Sequence, residues 1–269
     1  MTHEVPLAGG RSTAVVRVGD TVRRQAGPWT PTVHAYLRHI RARGFTGAPE
    51  GLGVDPKGRE VLRFIPGETL GDALDPAEPK TELVVVRPWP GAMRSDDALT
   101  EVGKLYAALH AAARGFRPDS PTWREYELPM HDGEIVCHCD PGPWNMVYRN
   151  GMPVALIDWD TVHPERPIIE LAGVAWTFVP LGDESHLRAS GFESPFETGR
   201  RLRILCDAYG AVDPIAMMAA LSEARQIWAM KLRYWQPLQS GAAAALLHGW
   251  ASNLEWLERN ADDLRSYLT

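Results

Sequence analysis

Lysine is scarce in this sequence and cysteine scarcer still. The only lysines among 269 residues are Lys57, Lys80, Lys104 and Lys231, so arginine carries most of the positive charge. The three cysteines, Cys137, Cys139 and Cys206, are an odd number without framework spacing, which argues against a disulfide scaffold and against secretion. No apolar run approaches the roughly eighteen residues of a membrane span, and MTHEVPLAGG lacks the apolar stretch behind a basic cluster that marks a leader. Internal repeats and low-complexity tracts are also missing. A soluble, cytoplasmic chain with reduced thiols and no membrane partner is expected.

What is present is ordinary globular material, 45% hydrophobic and 23% charged, enough for one large domain or two lobes. Its charge is uneven. Residues 1–68 carry a net +4 and the remainder a net −10. This fits a basic lobe facing polyphosphate and an acidic lobe holding metal or a cationic ligand, and solvated surface charge accounts for it almost as well. Basic residues interleaved with aromatics do not form a stripe, so no nucleic-acid partner is expected.

Short, alternating, β-branched segments dominate the first part of the chain. STAVVRV, a Gly19-Asp20 turn, TVRR and, after Asp55-Pro56-Lys57-Gly58, EVLRFI predict a small antiparallel sheet. Val33, Leu37 and Ile40 at helical spacing predict one helix between these strands, with Thr30 as N-cap, Pro31 at the first helical position and Gly44 as the stop. Pro66-Gly67 opens a loop suited to a hinge, which divides the chain into 1–67 and 68–269. Beyond it the period turns helical over residues 97–113, 197–209, 214–236 and 242–268. Two strands, EIVCHC and PVALID, are embedded among these helices.

Residues 138–160, HCDPGPWNMVYRNGMPVALIDWD, crowd acidic groups that repel one another. The spacing His138, Asp140, Asn145, followed after a strand by Asp158, suits phosphoryl transfer. That chemistry needs a carboxylate near the attacking hydroxyl and oxygen ligands that hold magnesium against the β- and γ-phosphates. Asp140 fits the first role, Asn145 and Asp158 the second, with divalent ions supplying the missing positive charge. Asn150-Gly151 is a hairpin turn without chemistry. Zinc at Cys137-His138-Cys139 is disfavoured, because alternating strand residues face opposite sides and no second ligand pair follows.

HCDPGPWN and LIDWD, with LHAA near residue 109, resemble the aminoglycoside phosphotransferase family across nearly the whole chain. The resemblance implies an α/β (α+β), bilobal, protein-kinase-like fold: a small antiparallel-sheet N-lobe that binds nucleotide and a mainly helical C-lobe for catalysis and substrate. It implies Asp140 as the catalytic aspartate, Asn145 and Asp158 as metal ligands, His138 as the residue fixing the loop, and Asp160 as a further acid behind them. Gly9, Gly10 and Ser12 match the first hairpin, whose N–H groups approach the phosphates. Arg24 falls where the family has a basic phosphate clamp, usually lysine, and Arg23, on the opposite face, is the alternative. Val22 and Phe64 are candidates for the nucleobase wall. Glu170 occupies a place where the family often has an aspartate that holds the loop.

The glutamate that usually orients the clamp from the following helix is missing, since counting back from Leu37 reaches Val33. The resemblance implies a magnesium-dependent kinase that transfers the γ-phosphoryl group of ATP or GTP to a hydroxyl of a small molecule, an antibiotic being the leading class. Other substrates of this fold stay open, because fold alone does not choose among them. A nucleotide-binding immunity protein that sequesters a toxin, and a metal-dependent hydrolase, are the rivals. Trp228, Trp235, Trp250 and Trp256 are read as core rather than as a stacking platform. Asp183 and Glu184, placed in a loop, are weaker candidates for a cationic ligand.

Overall fold

The computed structural model describes residues 3–7, 15–70, 89–125, 129–193, 195–235 and 241–269. Alternating side chains and glycine turns build its five-stranded antiparallel sheet. The strands are β1 (Glu4–Pro6), β2 (Val16–Val18), β3 (Thr21–Gln25), β4 (Gly51–Val54) and β5 (Arg59–Arg63), in the order β1-β2-β3-β5-β4. β1 and β4 add to the three strands expected. β4 reads GLGV, whose glycines give no alternation signal, and its register shifts between Gly51 and Gly53. Gly51 has a packing reason. A Cβ there would meet the His34 ring at 2.7 Å.

Helix α1 (Thr30–Ala42) lies between β3 and β4 in the chain and buries Val33, Tyr36, Leu37 and Ile40. Its N-cap is Trp29 rather than Thr30, and no side chain caps it. The Thr30 hydroxyl instead accepts the Gly27 N–H at 3.0 Å, inside the turn that leads into the helix. Gly44 ends it as expected, at φ +89°, a conformation costly for residues with a Cβ.

The chain groups into two compact units, Met1–Glu78 with Leu105–Pro167, and Pro79–Lys104 with Ile168–Thr269. Residue 67 therefore lies inside the first unit, which holds the sheet, α1 and the whole HCDPGPWN–LIDWD segment. In that unit β6 (Ile135–Cys137) pairs with β9 (His163–Glu165), and β7 (Met146–Arg149) with β8 (Met152–Leu156). The β7–β8 hairpin turns on Asn150 and Gly151, both at positive φ, as the dipeptide predicts. Tyr36 ties α1 to this region. Its ring contacts Phe116 and Trp159, and its hydroxyl donates to the Val136 carbonyl at 2.6 Å.

Helix α2 (Asp96–Ala113) begins in the second unit and ends in the first. The second unit also contains α3 (Pro167–Phe178, from Ile168 on), α4 (Glu184–Ala189), α5 (Thr198–Tyr209), α6 (Pro214–Trp235) and α7 (Gly241–Leu268). Four helices match expectation within a residue. α3 carried no amphipathic signal because it is apolar and buried on nearly every side. α4 replaces the loop expected at Asp183 and Glu184. Asp183 is its N-cap, accepting the His186 N–H at 3.0 Å, and Glu184 opens the helix and pairs with Arg188. Among the described residues no single helix is long and apolar enough to cross a membrane.

Candidate active site

The loop after β6 is held by its own side chains. Asn145 Nδ2 donates to Asp140 Oδ2 at 2.7 Å and to the Asp140 carbonyl at 3.0 Å, while the Asn145 carbonyl accepts the Ile157 N–H at 2.9 Å. His138 is fully buried. Its Nε2 meets the Ile157 carbonyl at 2.9 Å and its ring packs edge-on against Trp159. The Thr161 hydroxyl donates to the His138 carbonyl at 3.0 Å. His138 thus braces the loop against the segment carrying Asp158. Its neighbours Cys137 and Cys139 donate to the Glu165 and His163 carbonyls, which leaves no common point for zinc among the three.

Two residues without glycine's freedom adopt positive φ here: Cys139 at +65°, directly before Asp140, and Asp158 at +61°. Left-handed backbone costs such residues about 1–2 kcal/mol, and strain of this kind gathers where side chains must be aimed.

Arg24 is the hub. It is 7% exposed and reaches three acids: Nε contacts Glu60 at 2.5 Å, Nη1 contacts Asp158 at 2.6 Å, and Nη2 contacts Asp160. Burial by itself would depress its pKa, but Glu60, Asp160 and Asp158 outweigh burial and raise it. Strand alternation puts Val22 on the same face as Arg24. Arg23 points away, to Thr21 Oγ1 and toward Asp55 at 3.6 Å.

Glu60, on β5 opposite Arg24, is the acid that the helix lacks. It is 1% exposed and also receives His34 Nε2 from α1 at 2.9 Å. Burial pushes its carboxyl up, yet the His34 hydrogen bond and Arg24 prevail and hold it below the usual range. Sequence reasoning missed Glu60 because it looked for the partner on α1, where His34 stands. The only available signal was a glutamate alternating with Val61 in a strand. Arg124, also missed, meets Asp160 at 3.2 Å and lies over the Trp29 ring.

Three carboxylates, Glu60, Asp158 and Asp160, meet Arg24 or Arg124, and Asp140 adds a fourth, on which the charge of Asp158 acts. Burial raises Asp140, helped by Asp158 and opposed by His138, Asn145 and Trp144. Burial raises Asp160 too, with Asp158 and Glu60 adding to it and Arg24 and Arg124 opposing. Surplus negative charge and hard oxygen donors fit a magnesium ion. Asn145 uses its NH₂ on Asp140, leaving the amide oxygen as a ligand, and the Asp158 side chain is 49% exposed.

Val22 and Phe64 are half-buried in the sheet region, where Phe64 N–H bonds the Asp20 carbonyl at 2.9 Å and Arg17 lies 3.9 Å over its ring. Gly9, Gly10 and Ser12 lie outside the described residues, as does the side chain of Trp235. Glu170 is buried on α3, in the second unit.

The sequence matches the model of the phosphotransferase enzyme family over residues 121–205, which contains Asp140, Asn145 and Asp158. It is also 38% identical to the trifolitoxin immunity protein of Rhizobium leguminosarum bv. trifolii over 215 residues, 78% of this chain and 75% of that one. The chain belongs to the phosphotransferase enzyme family. The family's kinase-like fold extends over nearly its full length. A choline/ethanolamine kinase family protein from Mesorhizobium loti superposes with a TM-score of 0.57 at 18% identity, covering 99% of this chain and 91% of that one. The ADP-bound aminoglycoside phosphotransferase APH(2'')-Ib superposes with a TM-score of 0.56 at 11% identity, covering 94% and 95%. At such identities the likeness concerns fold, and the mixed α/β architecture expected from sequence is the one found.

Proposed function

We propose that this phosphotransferase moves the γ-phosphoryl group of ATP or GTP to a hydroxyl of a small-molecule toxin or antibiotic, with magnesium as cofactor. The observation that carries the reading is the 2.7 Å contact by which Asn145 aims the Asp140 carboxylate, with Asp158 beside them. Asp140 orients the acceptor hydroxyl and takes its proton as the oxygen attacks the γ-phosphorus. The bond to the bridging oxygen breaks, and nucleoside diphosphate leaves. Magnesium, held by Asn145 and Asp158, supplies charge that offsets the β- and γ-phosphates. Arg24 releases part of its carboxylate shell to take a phosphate oxygen, while Glu60 and His34 keep it aimed. Val22 and Phe64 line the base.

A protective role is supported by the relative named for immunity to trifolitoxin and by a family neighbour that phosphorylates aminoglycosides. The same relative favours a second reading, in which the protein binds a toxin without turnover. Diphosphate release that depends on an added antibiotic or toxin, with a phosphate adduct by mass spectrometry, separates the two. Protection of a sensitive bacterium that vanishes with Asp140→Ala is expected. Protection that persists in a folded Asp140→Ala variant, with the toxin recovered unmodified, would give the answer to sequestration.

A further inference from the structure

In the second unit a cation is buried with no counterion among the described residues. Arg225, on α6, is 4% exposed, and its Nε has no hydrogen-bond partner. Among the described residues no carboxylate acts on it, and burial pushes its pKa down to about 9. Three indoles surround it: the guanidinium carbon lies 4.0 Å from the Trp176 ring centre and 5.5 Å from those of Trp228 and Trp250. Trp176 is anchored through its Nε1–H to the Leu221 carbonyl at 2.8 Å, so its face is held in place. Trp228 and Trp250 are half-buried, as is His186, on which the Arg225 charge acts.

Indole faces stabilise a cation lying over them, but they accept none of the in-plane N–H groups of guanidinium. An arginine at such a depth normally has a carboxylate. We infer that Arg225 and the cage of Trp176, Trp228 and Trp250 form a receptor for a small organic acid, whose carboxylate takes the guanidinium fork while its apolar body rests against the indoles. The planar fork matches a carboxylate bidentately. A dianionic phosphate asks for more positive charge than one arginine supplies, and His186 does not provide it. Burial, reinforced by the Arg225 charge, lowers the His186 pKa, only partly offset by Asp183. The inference does not rest on phosphoryl transfer, because it concerns binding to the second unit.

Tryptophan fluorescence of the full chain, titrated with benzoate, benzamide and phenyl phosphate, tests it. Benzoate should change the emission saturably, with benzamide and phenyl phosphate each at least about tenfold weaker. Arg225→Met should abolish the benzoate response, and Arg225→Lys should retain part of it. Circular dichroism should show Arg225→Met folded, with a thermal midpoint at or above that of the parent, since it removes an unpaired buried charge. Equal responses to benzoate and benzamide, tighter binding of phenyl phosphate, or no saturable response would overturn the proposal. So would a midpoint several degrees lower in Arg225→Met, which would mean that the guanidinium already has its partner within the fold.

Discussion

Arg24 and Arg225 are buried to nearly the same degree, 7% and 4% exposed, one in each compact unit. Arg24 sits among Glu60, Asp158 and Asp160, and its pKa rises; Arg225 sits among three tryptophans, and its pKa falls. Depth alone therefore says little about a guanidinium. What surrounds it decides whether the charge organises a network or waits for an outside partner.

The sharpest way to break this comparison is to remove the acid that holds Arg24. Glu60→Gln is expected to cost about 3 kcal/mol in urea unfolding, since opening a buried pair leaves charge uncompensated. A loss under about 1 kcal/mol would mean that Asp158 and Asp160 suffice. The effect carries a pH signature. Because the folded state holds the Glu60 carboxyl below its ordinary 4.5, the stabilisation is fully present above that value and fades as pH falls through the lowered one. The gap between parent and variant should accordingly close in acid.

Asp140→Asn should lower kcat on the order of a hundredfold or more while nucleotide affinity barely changes. Near-parental kcat in acceptor-dependent diphosphate release would remove Asp140 from the reaction. Asp158→Ala should eliminate the magnesium-dependent part of nucleotide binding, and an unchanged calorimetric titration with magnesium and nucleotide would contradict its role as ligand.

Next in size is the contrast across β3. Arg24→Ala is expected to weaken triphosphate binding by roughly ten- to hundredfold, worth about 1.5–3 kcal/mol. Arg23→Ala, on the other face, should have little effect. Equal small losses at both positions would reject Arg24 as the phosphate clamp. The smallest change in stability belongs to Arg225→Met, for which no loss is expected, and this is the outcome that would make the two arginines opposites.

Much of the candidate site was legible because its contacts are local. His138, Asp140 and Asn145 sit within eight residues, and Asn145 returns to Asp140 over five. The hairpin at Asn150-Gly151 and the amphipathic helices likewise follow from nearby residues. The partner of Arg24 was not legible. The acid beside Arg24 was sought on α1, the next helix, where position 33 is valine, whereas it comes from β5, 36 residues along the chain. Nothing within a strand announces that one glutamate will point inward toward an arginine. Arg124 and the α3 helix escaped for related reasons, one a loop residue without a period and the other apolar all round. The tryptophans read as core are partly that, but their role as walls around Arg225 depends on α3, α6 and α7 converging.

By itself the sequence determined the loop, the turns and most helices, because hydrogen bonds over a few residues and side-chain periodicity are properties of local chain. Only the tertiary structure decided that Glu60 reaches Arg24 from β5 while α1 contributes His34, that Gly51 leaves room for the His34 ring, and that Arg225 lies among indoles with no acid among the described residues. Those outcomes depend on the alignment of strands and helices far apart in the chain, and on the electrostatics of groups that meet only after burial.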